Sequence, residues 1–203
     1  MKRLHREWGG RVHMVDVLVR QGHPGPAARP YRTEGDKRDD AERYRREEDL
    51  PWIVLSDDLA GSVHAQYGLL ADPAYLIGSD GRVAFYNYWT HVPTLHRAIA
   101  RLLDLQGEGV IGATRAVHPL ATITGGWRGI RRGLTQSAVD LETAMPGSAL
   151  SLWLGYQARK ALAPLAFTAQ PWPPRTRAAV AASGALLLAG VARATLERRR
   201  ARR

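Results

Sequence analysis

Apolar residues crowd together at Val12, Met14, Val15, Val17, Leu18 and Val19, and Pro24 and Gly25 end the run. A near-continuous β-branched stretch of this kind suits a strand over Arg11–Val19 that is covered on both faces of a parallel sheet. Upstream, Met1–Trp8 reads as the last turns of a helix, closed by Gly9 and Gly10. Downstream, residues 36–49 are so densely charged that they predict an exposed helix with Ala41, Tyr44 and Leu50 as its few inward contacts. Trp52–Leu55 is a short strand, and Ser56-Asp57-Asp58 caps a brief helix over Leu59–Tyr67. Asp72–Ile77 and Arg82–Tyr88 are two more strands, joined by Gly78-Ser79-Asp80-Gly81 in a hairpin. From Thr90 an amphipathic helix places Leu95, Ile99, Leu102 and Leu103 on one stripe. The order β-α-β-α-β-β-α makes residues 1–104 an α/β domain.

The pattern then changes. Gly107–Gly112 fits the spacing GxGxxG, but a helix precedes it where a dinucleotide site needs a strand, so residues 105–135 read as a Gly-rich linker, with a flexible basic loop over Gly125–Gly133. Residues 136–203 form a helical basic region: Ser137–Leu165 is helical with a break at Pro146-Gly147, and Gln170–Pro174 is a stiff connector. Beyond it Ala178–Ala192 is uncharged and apolar, short of the ~20 residues that cross a bilayer. It either packs as a soluble helix, lies at a membrane interface or spans a bilayer at a strain, with Trp153, Tyr156 and Trp172 suited to the interface and the Arg198–Arg203 end held by anionic lipid.

Charge sharpens the division. Residues 1–104 carry 15 Lys and Arg against 15 Asp and Glu, which leaves 14 against 4 in residues 105–203, so the whole net charge of +10 belongs to the second half. Such a bias points to an anionic partner. A membrane surface is preferred over nucleic acid, because the arginines are scattered among glycines and apolar helices. The chain has no cysteine, which excludes disulfides, thiolate metal sites and thiol catalysis within these 203 residues. Its seven histidines show no metal-ligand spacing, and no cofactor is implied. The charged start of the chain lacks the apolar core of a signal peptide, which suggests a cytoplasmic protein, at most at the inner face of the membrane.

Ligands of open α/β sheets bind beyond the carboxyl ends of the strands, which makes His23, just past the first strand, the leading site candidate. Taken together, Val17-Leu-Val-Arg-Gln-Gly-His-Pro-Gly25, Val54-Leu-Ser-Asp-Asp58, Tyr67-Gly68, Pro73-Ala-Tyr-Leu-Ile77 and Asp80-Gly-Arg-Val83 resemble the thioredoxin-fold proteins related to the iodothyronine deiodinases, especially their bacterial relatives. The resemblance covers about residues 1–104. It implies a thiol- or selenol-dependent oxidoreductase, acting by reductive dehalogenation or by reduction of a peroxide or disulfide, with a thiol reductant as co-substrate. In that family a Glu-Ala-His strand exit assists a catalytic selenocysteine or cysteine. His23 matches the histidine, Gln21 stands in place of the glutamate and cannot act as a carboxylate, and a second family histidine would fall near Tyr31 or Arg32. Pro73 falls where the fold carries a cis-proline on the substrate side of the nucleophile.

The resemblance also implies a nucleophile upstream of Met1, on a central strand between Arg11–Val19 and Ala74–Ile77, so a thioredoxin-like domain lacking its first central strand is expected. One origin would be a selenocysteine codon read as a stop, with the start assigned to the next methionine. The 203-residue chain alone is then expected to be inactive. The competing expectation is a non-catalytic, membrane-associated scaffold or partner-binding protein that kept the fold without the chemistry.

Overall fold

The computed structural model of the chain describes residues 1–22, 24–27, 29–115, 118–132, 137–167 and 175. The chain divides into two compact units, Met1–Phe167 and Thr168–Arg203. The first unit is mixed α/β. Its elements are α1 (Lys2–Trp8), β1 (Val15–Leu18), α2 (Glu34–Glu47), β2 (Ile53–Ser56), α3 (Ser62–Gln66), β3 (Ala74–Ile77), β4 (Val83–Asn87), α4 (Val92–Asp104), β5 (Gly112–Thr114), α5 (Pro119–Gly125), α6 (Trp127–Arg132), α7 (Ala138–Ala144), α8 (Ser148–Gln157) and α9 (Arg159–Ala166).

The strands form two separate sheets. β1 and β2 pair in parallel, with Val15 opposite Ile53 and Val17 opposite Leu55, and α2 makes the crossover between them. β3 and β4 form the expected antiparallel hairpin, and β5 adds to the other side of β4 in parallel after α4. The hairpin turn works as its sequence suggests: Asp80 Oδ1 accepts from Arg82 N at 3.0 Å, and Gly81 takes a φ of 77°, open to glycine at little cost. The core lies against the second sheet and the approach to β1. Leu4 of α1, Phe85 of β4 and Leu95, Ala98 and Ile99 of α4 are buried together, and Met14 before β1 and Ala74 and Leu76 of β3 pack on the same cluster.

The amphipathic stripe on α4 is therefore the centre of the α/β half, although Leu103 is only partly buried and Ala98 takes the inner place. α2 starts two residues earlier than its charge pattern suggests. Thr33 caps it in a reciprocal box, accepting from Asp36 N while the Asp36 carboxylate accepts from Thr33 N, each at 3.0 Å. Its inner face is also more polar than expected. Lys37 is buried and donates to the Asp58 carbonyl at 2.7 Å, and buried Asp40 accepts from Tyr31 and pairs with Arg43.

Three expectations need correction. The strand over Arg11–Val19 is not covered on both faces: Val15 and Val17 of β1 are 48% and 38% exposed, and Ile53 and Leu55 opposite them are 55% and 50% exposed. Among the described residues only β2 flanks β1, so the apolar run has one neighbour and one open face. The glycine-rich stretch read as a linker contains β5, and the basic loop read over Gly125–Gly133 is largely helix α6. Burial of Ile130 against Leu141 and Ala149, with Trp127 packed beside it, outweighs the cost of glycine in that helix. The break at Pro146-Gly147 is present, with Gly147 at a φ of 88° separating α7 from α8.

Candidate functional site

The exit of β1 leads to Gln21, which is half-buried and whose Oε1 has no hydrogen-bond partner among the described residues. It lines an open groove of about 700 Å³ together with Arg29, Tyr31, Arg32, Asp40 and Arg43. The Tyr31 hydroxyl donates to Asp40 Oδ2 at 2.5 Å, and burial, reinforced by that carboxylate, drives its pKa upward. Tyr31 is thus tied by a structural bond to α2. His23 itself lies outside the described residues.

Pro73 stands directly before β3. Its peptide bond is trans, so the cis geometry expected of it is absent. The backbone at this point is held by β4's exit: Thr90 N donates to the Asp72 carbonyl at 2.7 Å, the Thr90 hydroxyl adds a 3.2 Å bond to the same oxygen, and Asp72 bridges to Trp89. These bonds fix the trans chain, the ordinary state of an X–Pro bond.

Two carboxylates that the residue patterns do not single out have raised pKa values in this half of the chain. Asp16 is the one acidic side chain within the apolar run of β1, and its Oδ2 accepts from Trp52 Nε1 at 2.9 Å. Burial raises its pKa, against the opposing pull of that bond. Asp72 is pushed up to about 6, first by the protein packed around its carboxyl and then by the charge on Asp16, although more than a third of the residue remains open to solvent. Tyr44 of α2 is also raised, to about 12, by burial and by both carboxylates. A carboxyl that titrates near 6 can hold or release a proton at neutral pH, which is the property required of an acid or base. The sequence signal that could have found Asp16 is its isolation: an acid amid valines must either be paired or carry chemistry.

The two sheets stay separate. β1 pairs only with β2, and β3 only with β4, so each has an edge with no strand partner among the described residues. Beyond β2 the chain is tied back firmly. Asp57 N donates to the Leu18 carbonyl at 3.0 Å, and the Asp57 carboxylate accepts from the backbone of Asp58, Val63 and His64 at 2.9 to 3.0 Å. Burial works to raise the Asp57 pKa, but these donors outweigh it and lower the net value. The helix expected over Leu59–Tyr67 starts only at Ser62, with Gly61 as its N-cap, and the carboxylates of Asp57 and Asp58 accept from its first backbone N–H groups at Ser62, Val63 and His64.

A second cluster lies where α4 meets the helical region. The rings of His91 and His118 stack at 3.7 Å with an angle of 9° between them. His91 is almost fully buried, with Nδ1 at 2.9 Å from Thr94 Oγ1 and Nε2 at 3.3 Å from the Ala166 carbonyl, while His118 Nε2 has no partner among the described residues. Burial lowers both pKa values, and for His91 the neighbouring His118 and Arg97 lower it further while its bond to Ala166 opposes. Among the described residues no group of three or more His, Asp or Glu side chains is arranged to hold a metal ion, and no helix is long and apolar enough to cross a membrane.

The residues thus define a mixed α/β chain with two small sheets and two carboxylates of raised pKa. No family model, curated protein or solved structure matches it.

Proposed function

We propose that the α/β half is the scaffold of a thioredoxin-like, deiodinase-type oxidoreductase whose nucleophile is not among these 203 residues. The observation that supports this reading is a pair of open strand edges, taken as a seam. β1 and β3 each present an edge unpaired among the described residues, and Met14 just before β1 packs on the same cluster as Ala74 and Leu76 of β3. Backbone donors and acceptors on such edges call for a partner, and one further strand would make a continuous sheet of the order β2-β1-x-β3-β4-β5. A central strand at that position is what the resemblance to the deiodinase relatives requires.

In this scheme a selenolate or thiolate carried at the end of the added strand attacks a halogenated, peroxidic or disulfide substrate. His23 donates or relays the proton, Gln21 and Pro73 contribute to the substrate side, and a thiol reductant restores the nucleophile. Asp72, with its carboxyl near 6, stands at the same seam as a further group able to hold a proton.

The test is an assay with dithiothreitol against hydrogen peroxide, a disulfide and an iodinated phenol. The 203-residue chain is expected to give no turnover. The chain extended by its in-frame upstream codons, with cysteine at any UGA, is expected to turn over at least one of these substrates, and His23→Ala is expected to lower that rate by roughly 100-fold. An extended chain without activity overturns the proposal, and so does turnover by the 203-residue chain itself that vanishes in His23→Ala.

A further inference from the structure

Helix α8 is apolar on both of its long faces. Ala149, Leu152 and Gly155 lie on the side packed against α5 and α6, so closely that a Cβ on Gly155 would sit 1.9 Å from Ile123 Cγ2. The opposite side carries Leu150, Trp153 and Leu154, which are 56%, 39% and 52% exposed. Their i, i+3, i+4 spacing puts them on one stripe. A helix that is apolar all round is ordinarily buried all round, and a stripe of large apolar side chains open to water marks a contact surface.

The charge around the stripe selects the occupant. No Asp or Glu occurs between Glu142 and Glu197, whereas Arg159 and Lys160 follow α8 directly and the segment beyond α9 is rich in arginine. Arg159 is held over the Tyr156 ring at 3.9 Å from its centre and donates to the Tyr156 carbonyl at 2.6 Å, which keeps its positive charge at the C-terminal end of α8, while the one acid beside the helix, Glu142, is bound to backbone N–H groups at its N-terminal end. A half-exposed Trp next to such a basic end favours the boundary between headgroups and acyl chains. A second copy of the chain is disfavoured, because residues 105–203 carry 14 Lys and Arg against 4 Asp and Glu and two such segments repel. With ten residues, α8 is about 15 Å long, half a hydrocarbon core, so it can lie on a bilayer but not cross it.

We propose that the Leu150–Trp153–Leu154 stripe of α8 docks on an anionic lipid surface, with Lys160 and Arg159 facing the headgroups. This docking does not depend on the oxidoreductase reading, since it uses none of the seam.

The experiment takes the full chain with vesicles of phosphatidylcholine alone and of phosphatidylcholine mixed in equal parts with phosphatidylglycerol. The protein is expected to float with the mixed vesicles and to show quenching of tryptophan fluorescence by brominated lipid. The exposed triple variant Leu150→Gln/Trp153→Gln/Leu154→Gln, with unchanged circular dichroism, is expected to weaken partition at least about ten-fold. The milder Trp153→Phe should keep partition and lose most of the quenching. The proposal is overturned by absence of partition, by equal partition into phosphatidylcholine alone, by partition that the triple variant leaves intact, or by self-association that the triple variant abolishes without any vesicle binding.

Discussion

The two sheets of the α/β half are built from similar apolar strands and end in opposite conditions. β4 has β3 on one side, β5 on the other and α4 over it, and its Ala84, Phe85 and Asn87 are buried. β1, Val-Asp-Val-Leu, is mostly apolar too, yet among the described residues it has β2 alone as a neighbour, and no residue of either strand reaches full burial. Apolar content alone does not separate them. What differs is the number of neighbours, and the strand that lacks one carries Asp16, whose charge helps to raise the Asp72 pKa.

The largest test of this contrast is truncation in each sheet. Phe85→Ala is expected to cost about 3–5 kcal/mol, because a fully packed ring leaves a cavity in the shared core. Val15→Ala and Val17→Ala, on the half-open face of β1, should each cost below about 1 kcal/mol. Urea unfolding of the three variants measures this directly, and valine variants as costly as Phe85→Ala would mean that the open face is in truth covered.

A smaller effect should confine itself to the β1–β2 side. Asp57→Ala removes an acceptor for three backbone N–H groups, and about 1–2 kcal/mol of stability should go with it. Amide hydrogen exchange is expected to quicken in α3 and at the end of β2 and to stay slow in β4. Equal quickening in β4 would show that the two sheets open as one unit.

The smallest effects are in pH, and the seam and the histidine stack should pull in opposite directions. Asp72 has a folded-state pKa raised from 3.8 to about 6, so the folded chain binds more protons than the unfolded one in that interval, and this group's contribution falls as pH rises from about 4 to about 6. Asp72→Asn should therefore gain stability above pH 6, by no more than about 1 kcal/mol given the open side of the residue. His91 and His118 are lowered from 6.5, so the unfolded chain binds more protons and stability is lost as pH falls below about 6.5. His118→Phe keeps a ring in the stack and should reduce that acid loss. Thermal melts between pH 4 and pH 8 check both signs.

Much of the fold is legible locally. The α4 stripe, the Asp80-Gly81 hairpin, the capping acids before α3 and the Pro146-Gly147 break each depend on nearby residues whose physics does not need the rest of the chain. The features that escape are tertiary. β5 is three residues of Gly-Ala-Thr with no strand signal of their own, formed because the edge of β4 offers bonds such as Ile111 N to the Ala84 carbonyl. Lys37 reads as one more charge on an exposed helix until its amino group reaches a carbonyl 21 residues away. Of the candidate site, Gln21 and Pro73 are placed where the strands' ends lead, whereas Asp16 and Asp72 acquire meaning only from the tertiary packing around their carboxyls.

If the seam between β1 and β3 is the place of one more strand that carries the nucleophile, the genomic codons in frame upstream of Met1 must encode it. Sequencing them is the most direct measurement. An apolar, strand-forming run is expected there, followed by a cysteine codon or an in-frame UGA at the start of the helix that continues into α1. Upstream sequence without such a run would contradict the proposed strand and its nucleophile.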